Sequence, residues 1–158
     1  MTRFLAPLDH HNLSDVGLDG WTYGYRDRVR FYELDALNHV NNVVFLKWFE
    51  TIRVTYVQDY GFSSYGEDDP QLVVRRVTAD FLAPMHQNQD YIVAARTTVV
   101  KPSSFFMEYA VVADDNICAT GEAVGISLEQ DGKTRREHNL IAINNVIQRD
   151  GAKKSGFV

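Results

Sequence analysis

The stretch DALNHVNNVVFLKWFETIRVTYVQDYG, residues 35–61, begins as a polar loop and continues as the longest helical pattern in the sequence. Its first eight residues are mostly polar turn formers, which predict a loop. Residues 43–60 contain no glycine or proline, and at ~1.5 Å rise per residue they predict a helix roughly 27 Å long. Apolar side chains cover more than half of its circumference, which is typical of a helix buried on most sides. Asn41 or Asn42 can cap this helix, and Gly61 can end it.

Strand patterns lie on both sides of this helix. Apolar and charged residues alternate before it, and β-rich segments separated by short polar connections follow it, as in hairpins. The predicted strands cover 23–31, 71–83, 90–100, 103–113 and 117–128, and a short amphipathic helix covers 139–148. This order predicts an α+β fold in which the long helix packs against the concave face of an antiparallel sheet.

Length and composition exclude several classes of protein. The 158 residues suit one domain, which we place at 22–148, between a surface extension at 1–21 and a loose tail at 149–158. The net charge of -5 argues against a nucleic-acid partner. The single cysteine rules out an internal disulfide and favours a reducing, cytoplasmic location. The N-terminus lacks the apolar stretch of a signal peptide, and no apolar run approaches the ~20 residues that span a membrane.

The loop at 33–42 is the candidate site. It places two carboxylates, a histidine and three asparagines before the start of the buried helix. A helix start offers unpaired N–H groups and a positive dipole end, which stabilise a carbonyl oxygen that gains negative charge. Asp35 can act there as general base or nucleophile, which suits hydrolysis of an activated acyl group. The alternative is that Asp35 and the asparagines only satisfy turn and cap hydrogen bonds.

The same residues resemble a known family. An aspartate, a His-Val-Asn-Asn run and a helical Glu-x-x-Arg pattern are similar to the hotdog-fold acyl-CoA thioesterases, more narrowly the 4-hydroxybenzoyl-CoA thioesterase type. In this sequence they are Asp35, His39, Val40, Asn41, Asn42, Glu50 and Arg53. Residues 79–84, 103–105 and 119–122 also resemble the family, so that the likeness spans about 24–147.

The resemblance implies a hotdog fold, with a five- to six-stranded antiparallel sheet wrapped around a long central helix. It implies hydrolysis of acyl-CoA to a free acid and coenzyme A, without a metal or other cofactor. Active sites in this family lie at a homodimer interface, and a dimer of dimers is the alternative assembly. By position, Asp35 matches the catalytic carboxylate, and the backbone N–H near Asn42 matches the donor that polarises the thioester.

Further candidates have a structural alternative each. His39 can assist catalysis or hold the loop, and Glu50 can contact substrate or pair with Arg53 on the helix. The remaining candidates for substrate binding are Asn41, Val43, Phe45, Ser103 and Ser104, with Trp48 and Phe49 as further pocket or core residues. Coenzyme A phosphates would suit Arg75, Arg76, Arg96 or Lys101, although each is also an ordinary surface residue.

Three positions depart from the family pattern. Asn38 stands where glycine is usual, Phe45 replaces a tyrosine, and residues 88–90 replace a Gly-Asp turn. Asn38 can change the loop conformation, and with it substrate fit or activity, although Asn is the next best residue at positive φ. Two other functions stay open, namely a protein that binds acyl-CoA without turnover and, ranked last, a hydratase or dehydratase.

Overall fold

The computed structural model describes residues 3–158, and its elements follow the predicted order with short additions at both ends. The strands are β1 (Pro7–Leu8), β2 (Gly24–Arg28), β3 (Gln71–Phe81), β4 (Asp90–Val100), β5 (Ser104–Ala113), β6 (Asn116–Leu128) and β7 (Lys153–Lys154). The helices are α1 (His10–Ser14), α2 (Asn42–Asp59) and α3 (Leu140–Asp150), and a 3-10 turn covers Phe31–Glu33.

The described strands form one seven-stranded sheet. Its order is β1-β2-β4-β5-β6-β3, and β7 pairs with β4 beside this path. The β1–β2 and β2–β4 pairs are antiparallel, whereas β7 runs parallel to β4. The predicted count of five to six strands was too low, because β1 and β7 are two-residue strands without an alternating pattern. β3 is left as an edge strand of the sheet.

The N-terminal segment is more than the surface extension predicted at 1–21. Pro7 pairs with Tyr25 of β2, and α1 places Leu13, fully buried, in an apolar cluster. That cluster also contains Leu18 and the β4 residue Ile92. A five-residue helix is too short to show a 3.6-residue period, which is why sequence reasoning missed it. Residues 1 and 2 of the predicted extension lie outside the described residues.

The C-terminal segment also departs from the prediction of a loose tail from 149. α3 continues to Asp150 and ends at Gly151, whose φ of 69° closes the helix. The chain then returns to the sheet, where Val99 and Val100 pair with Lys153 and Lys154. The division of the sequence into one domain at 22–148 stays a prediction.

The chain forms two compact units, which interleave along the sequence. In the first, residues 3–52, 79–95 and 109–121, the first half of α2 packs on strands of the sheet. Trp48 stacks on Tyr91 of β4 at 4.0 Å between ring centroids, and Phe49 stacks on Tyr109 of β5 at 4.7 Å. A Cβ at Gly121 of β6 would lie 2.5 Å from the Phe49 ring, so the glycine makes room for it.

The second unit comprises residues 53–78, 96–108 and 122–158. Here the Asp150 carboxylate of α3 accepts hydrogen bonds from the Tyr56 hydroxyl, from the Tyr60 hydroxyl at 2.5 Å and from the Thr97 N–H at 2.8 Å. The three side chains of the donors are fully buried. Within residues 3–158, no helix combines the length and apolarity needed to cross a membrane.

Candidate active site

The loop before α2 is closed at its base by backbone hydrogen bonds. Leu34 and Val40 form an isolated antiparallel bridge, and the Asn41 N–H donates to the Glu33 carbonyl at 2.9 Å. Inside the loop, the Asp35 N–H donates to the His39 carbonyl at 2.8 Å. The loop is therefore a defined structure that leads directly into the helix.

Asp35 uses one carboxylate oxygen to hold this loop. Its Oδ1 accepts the N–H of Leu37 at 2.8 Å and the N–H of His39 at 3.2 Å. Its Oδ2 makes no hydrogen bond to the residues that the structure describes, and the side chain is half-buried. One oxygen thus fills the structural role, and the other faces no protein donor within residues 3–158.

Asn38 has the backbone conformation that its place in the motif requires. Its φ is 59°, in the left-handed region, where asparagine is the residue most readily accepted after glycine. Its N–H donates to the Asp35 carbonyl at 3.1 Å, which completes a turn. The next residue, His39, is half-buried, and its ring meets His86 edge-on at 5.1 Å between centroids. Replacement of the usual glycine by Asn38 therefore preserves the turn.

The N-terminus of α2 is capped by Asn41. Its Oδ1 accepts the N–H of Val43 at 3.0 Å, and the helix begins at Asn42. Among residues 3–158 the backbone N–H of Asn42 has no acceptor, and Asn42 is exposed. This end of the helix therefore presents a donor and the positive end of the dipole to solvent.

The other predicted substrate residues differ in exposure. Val43 is 57% exposed and Glu50 is also exposed, whereas Phe45 is 3% exposed. The Phe45 ring packs edge-on against Trp48 at 5.1 Å and at a tilt against Phe81 at 5.4 Å, so it forms part of the core. Its role in an acyl pocket stays a prediction.

Ser103 and Ser104 belong to the second unit and are half-buried. Ser104 opens β5, and the Ser103 carbonyl accepts the Ser127 N–H at 2.9 Å. The Ser103 hydroxyl accepts a hydrogen bond from the Arg135 guanidinium at 3.4 Å. These contacts anchor the start of β5, and a role in substrate binding stays a prediction.

The basic residues considered for coenzyme A phosphates also lie in the second unit. The Arg96 guanidinium pairs with Glu108 at 2.8 Å, and the Lys101 ammonium lies 5.3 Å from the centre of the Phe106 ring. Arg75 and Arg76 are exposed on β3. The two arginines of β3 are therefore the more accessible pair of these four.

Sequence reasoning counted Glu33 as a loop carboxylate and missed that it is buried. It is 8% exposed, and its Oε1 accepts the Trp48 indole N–H at 3.1 Å. Its Oε2 accepts the Arg30 N–H at 2.8 Å. No local pattern in the sequence signals this burial, because it depends on Trp48, fifteen residues later in the chain.

Two further titratable groups have ordinary structural explanations. Burial, followed by the neighbouring Asp27 carboxylate, raises the pKa of the Tyr91 hydroxyl, which therefore stays protonated at neutral pH. Burial also raises the pKa of the Cys118 thiol, which is 2% exposed, and so disfavours the reactive thiolate. Within residues 3–158, no three His, Cys, Asp or Glu side chains are grouped so that they could hold a metal ion.

The sequence profile of the thioesterase-like superfamily matches residues 29–149, which include the loop and α2. Among solved structures, a thioesterase-superfamily protein from a Jannaschia species is 31% identical, with a TM-score of 0.93 over 98% of this chain and 100% of that one. A thioesterase from Thermus thermophilus, solved with coenzyme A and zinc, is 32% identical, with a TM-score of 0.70 over 81% of this chain and 94% of that one.

A curated relative is the chloroplastic acyl-acyl carrier protein thioesterase ATL3 of Arabidopsis thaliana. It is 26% identical over 110 residues, which are 68% of this chain and 58% of the relative. The match therefore spans little more than half of the relative's length. With the profile match and the two solved structures, the sheet and loop described above show that this chain belongs to the thioesterase-like superfamily and has its hotdog-like, largely antiparallel fold.

Proposed function

We propose that the protein hydrolyses acyl-CoA thioesters, with Asp35 as the catalytic carboxylate, in the manner of the 4-hydroxybenzoyl-CoA thioesterase type. The observation that carries the proposal is the Asp35 Oδ2, which faces no protein donor within residues 3–158 and lies in the loop that leads into the N-terminus of α2. A carboxylate in a loop that leads into a helix N-terminus can act as base or nucleophile, while the N–H groups of the helix end stabilise the oxygen that gains negative charge.

The thioester carbonyl oxygen would accept the Asn42 N–H, which has no acceptor within residues 3–158. As general base, Asp35 would take a proton from water while the water oxygen attacks the carbonyl carbon. Collapse of the tetrahedral intermediate would expel the coenzyme A thiolate and leave the free acid. As nucleophile, Asp35 would form an acyl anhydride, expel the thiolate, and be regenerated when water attacks that anhydride.

The comparisons support the substrate class. The Thermus relative is a thioesterase solved with coenzyme A, and the Arabidopsis relative is an acyl-acyl carrier protein thioesterase, which supports an acyl thioester as the substrate. Coenzyme A would enter as part of the substrate, and the proposed chemistry needs no further cofactor. Arg75 and Arg76, exposed on β3, are the proposed partners of its phosphates.

The proposed active unit is a homodimer, with α2 as the helix around which the sheet wraps. β3 is an edge strand, and its residues from 73 to 78 are exposed on both faces. Its valines Val73, Val74 and Val77 are each about 40% exposed, which is unusual for the apolar residues of a strand whose edge is covered. A second copy paired along β3 would cover this edge.

One observation favours a second candidate, a protein that binds acyl-CoA without turnover. The Asp35 Oδ1 already accepts two backbone N–H groups, which is a complete reason for an aspartate at this position. In that case the helix N-terminus would bind the thioester, and Asp35 would only shape the loop.

A panel of acyl-CoAs, short to long and aromatic, assayed for released thiol separates the two candidates. Asp35→Asn retains an Oδ1 acceptor for the loop but loses the base, so we expect thiol release to fall by ~10² or more. Asp131→Asn is the matched control, because Asp131 Oδ1 also accepts two backbone N–H groups, from Lys133 and Thr134. Equal rates for wild type and Asp35→Asn would remove Asp35 from the mechanism.

The helix donor is tested by Asn42→Pro. Asn42 is the first residue of α2, where proline is tolerated, and the substitution removes its N–H. Loss of such a donor costs ~10²–10³ in rate. Asn42→Ala keeps the N–H and should keep the rate, so equal effects of the two substitutions would exclude the N–H as the donor. Tight binding of every acyl-CoA with no thiol release by the wild type would favour the binding protein.

A further inference from the structure

Glu33 is a buried carboxylate that the proposed chemistry does not use. Each of its oxygens has one donor, the Trp48 indole N–H on Oε1 and the Arg30 backbone N–H on Oε2. Its own backbone carbonyl accepts the N–H of Asn41, the residue that caps α2. One residue therefore joins the start of the 3-10 turn, the end of the loop and the second turn of the helix.

Further contacts extend these hydrogen bonds into a closed network that returns to Trp48. The Arg30 guanidinium makes a two-pronged ion pair with the buried Asp27, at 2.9 and 3.1 Å. The Tyr91 hydroxyl reaches the same carboxylate at 3.5 Å, and the Tyr91 ring stacks on Trp48. This network therefore connects β2, the 3-10 turn, α2 and β4, all within the first unit.

We propose that Glu33 is a positioning residue, which holds the Asp35 loop in a fixed position relative to the N-terminus of α2. The inference rests on the proposed hydrolysis, because the position of the loop determines where Asp35 lies relative to a thioester bound at the helix end. Glu33 acts through the backbone at both ends of the loop and through Trp48, which lies six residues into α2.

The chemistry of the contacts requires a carboxylate. Both partners of the side chain are pure donors, so two acceptor oxygens are needed at once. Glutamine offers one acceptor, and its amide would turn an N–H toward a second N–H. Glu33→Gln therefore keeps the size of the side chain but breaks one of the two contacts, either to the loop side or to the helix side.

Two variants disrupt the hydrogen bond between Glu33 and Trp48, one from each side. Glu33→Gln alters the acceptor, and Trp48→Phe removes the donor while it keeps an aromatic ring against Tyr91. We expect each to lower kcat by up to ~10², the usual cost of displacing a reacting group by about 1 Å. KM should stay within about twofold, because the buried Glu33 and Trp48 are proposed to act through the loop and not on the substrate. The matched control is Trp21→Phe, which alters another buried tryptophan, in the cluster around Leu13, and should leave kcat unchanged.

A second measurement does not depend on turnover. Amide hydrogen exchange of Leu37, His39 and Asn41 reports the loop directly, since their N–H groups form its bonds. We expect faster exchange at these three amides in Glu33→Gln and Trp48→Phe, with exchange in the second unit unchanged. Unchanged loop exchange, or a KM rise at constant kcat, would overturn the inference. Absence of any hydrolysis by the wild type would instead defeat the proposed function, and the exchange data would still decide the role of Glu33 in holding the loop.

Discussion

A single methyl group added at Gly125 tests how tightly the second unit is packed. A Cβ built there lies 2.4 Å from Cζ and 2.5 Å from Cε1 of Phe105, distances that real Cβ contacts essentially never show. The ring has little room to retreat, because Phe105 is 1% exposed and packs against Phe62, stacked at 4.8 Å, and against His138, edge-on at 5.7 Å. Gly125→Ala therefore has to displace the ring or bend β6.

Overpacking of this kind costs about 1–3 kcal/mol of unfolding free energy. Since Phe105 is buried and packs against two aromatic rings, we expect Gly125→Ala at the upper end, ~2–3 kcal/mol. For a chain of this length each kcal/mol lowers Tm by roughly 2–4 °C. Phe105→Leu alone also destabilises, but a smaller side chain removes the atoms that the new methyl group meets.

Urea unfolding followed by circular dichroism measures the four corners of a double-mutant cycle. We expect the double variant Gly125→Ala/Phe105→Leu to be at least ~1 kcal/mol more stable than the sum of its parts predicts. Gly121→Ala is the control, because its new methyl group would meet Phe49 at 2.5 Å, so Phe105→Leu should leave its cost unchanged. A cost for Gly125→Ala below ~0.5 kcal/mol, or a strictly additive cycle, would refute the packing argument.

Three further predictions concern the loop, α3 and pH. Asn38→Ala should cost ~1 kcal/mol in urea unfolding and Asn38→Gly close to nothing, because φ is 59°; equal costs would contradict this. Asp150→Ala removes the acceptor of three buried donors, including the Tyr60 hydroxyl and the Thr97 N–H, and should cost ~2–5 kcal/mol, against under ~1 kcal/mol for the exposed Asp59→Ala. Burial lowers the pKa of His138 in the folded state, so its protonation favours unfolding and stability falls as the pH drops below about 6.5. His138→Gln should flatten that decline between about pH 7 and pH 5, and an unchanged slope would assign the decline to other groups.

The long elements were predictable because their patterns are long. β4 occupies the predicted residues 90–100, and α2 is displaced by one residue from the predicted 43–60. Eighteen residues without glycine or proline and eleven residues of strand each carry several periods of hydrophobicity. The short terminal elements carry less than one period, and their place in the sheet depends on pairing partners far away in the sequence.

The candidate site was predictable in its backbone but not in its burial. The sequence predicted a cap at Asn41 or Asn42, and the structure has the cap at Asn41. It left the loop conformation at Asn38 open, and the structure has a φ of 59° there, which asparagine tolerates. These properties follow from local residue preferences. The burial of Glu33 depends on Trp48, fifteen residues later, and no local pattern records that contact. The catalytic role of Asp35 remains a prediction that only turnover can test.

The open edge of β3 suggests a role for its arginines that does not involve a ligand. Residues 71–78 read QLVVRRVT, a β-prone run in which Arg75 and Arg76 are the only charges. An uncovered edge of this composition invites indefinite stacking with other chains. Neighbouring arginines repel their counterparts in an in-register stack, and so act as gatekeepers against aggregation. Selection on Arg75 and Arg76 can therefore reflect the solubility of newly made chains as much as any contact with a phosphate.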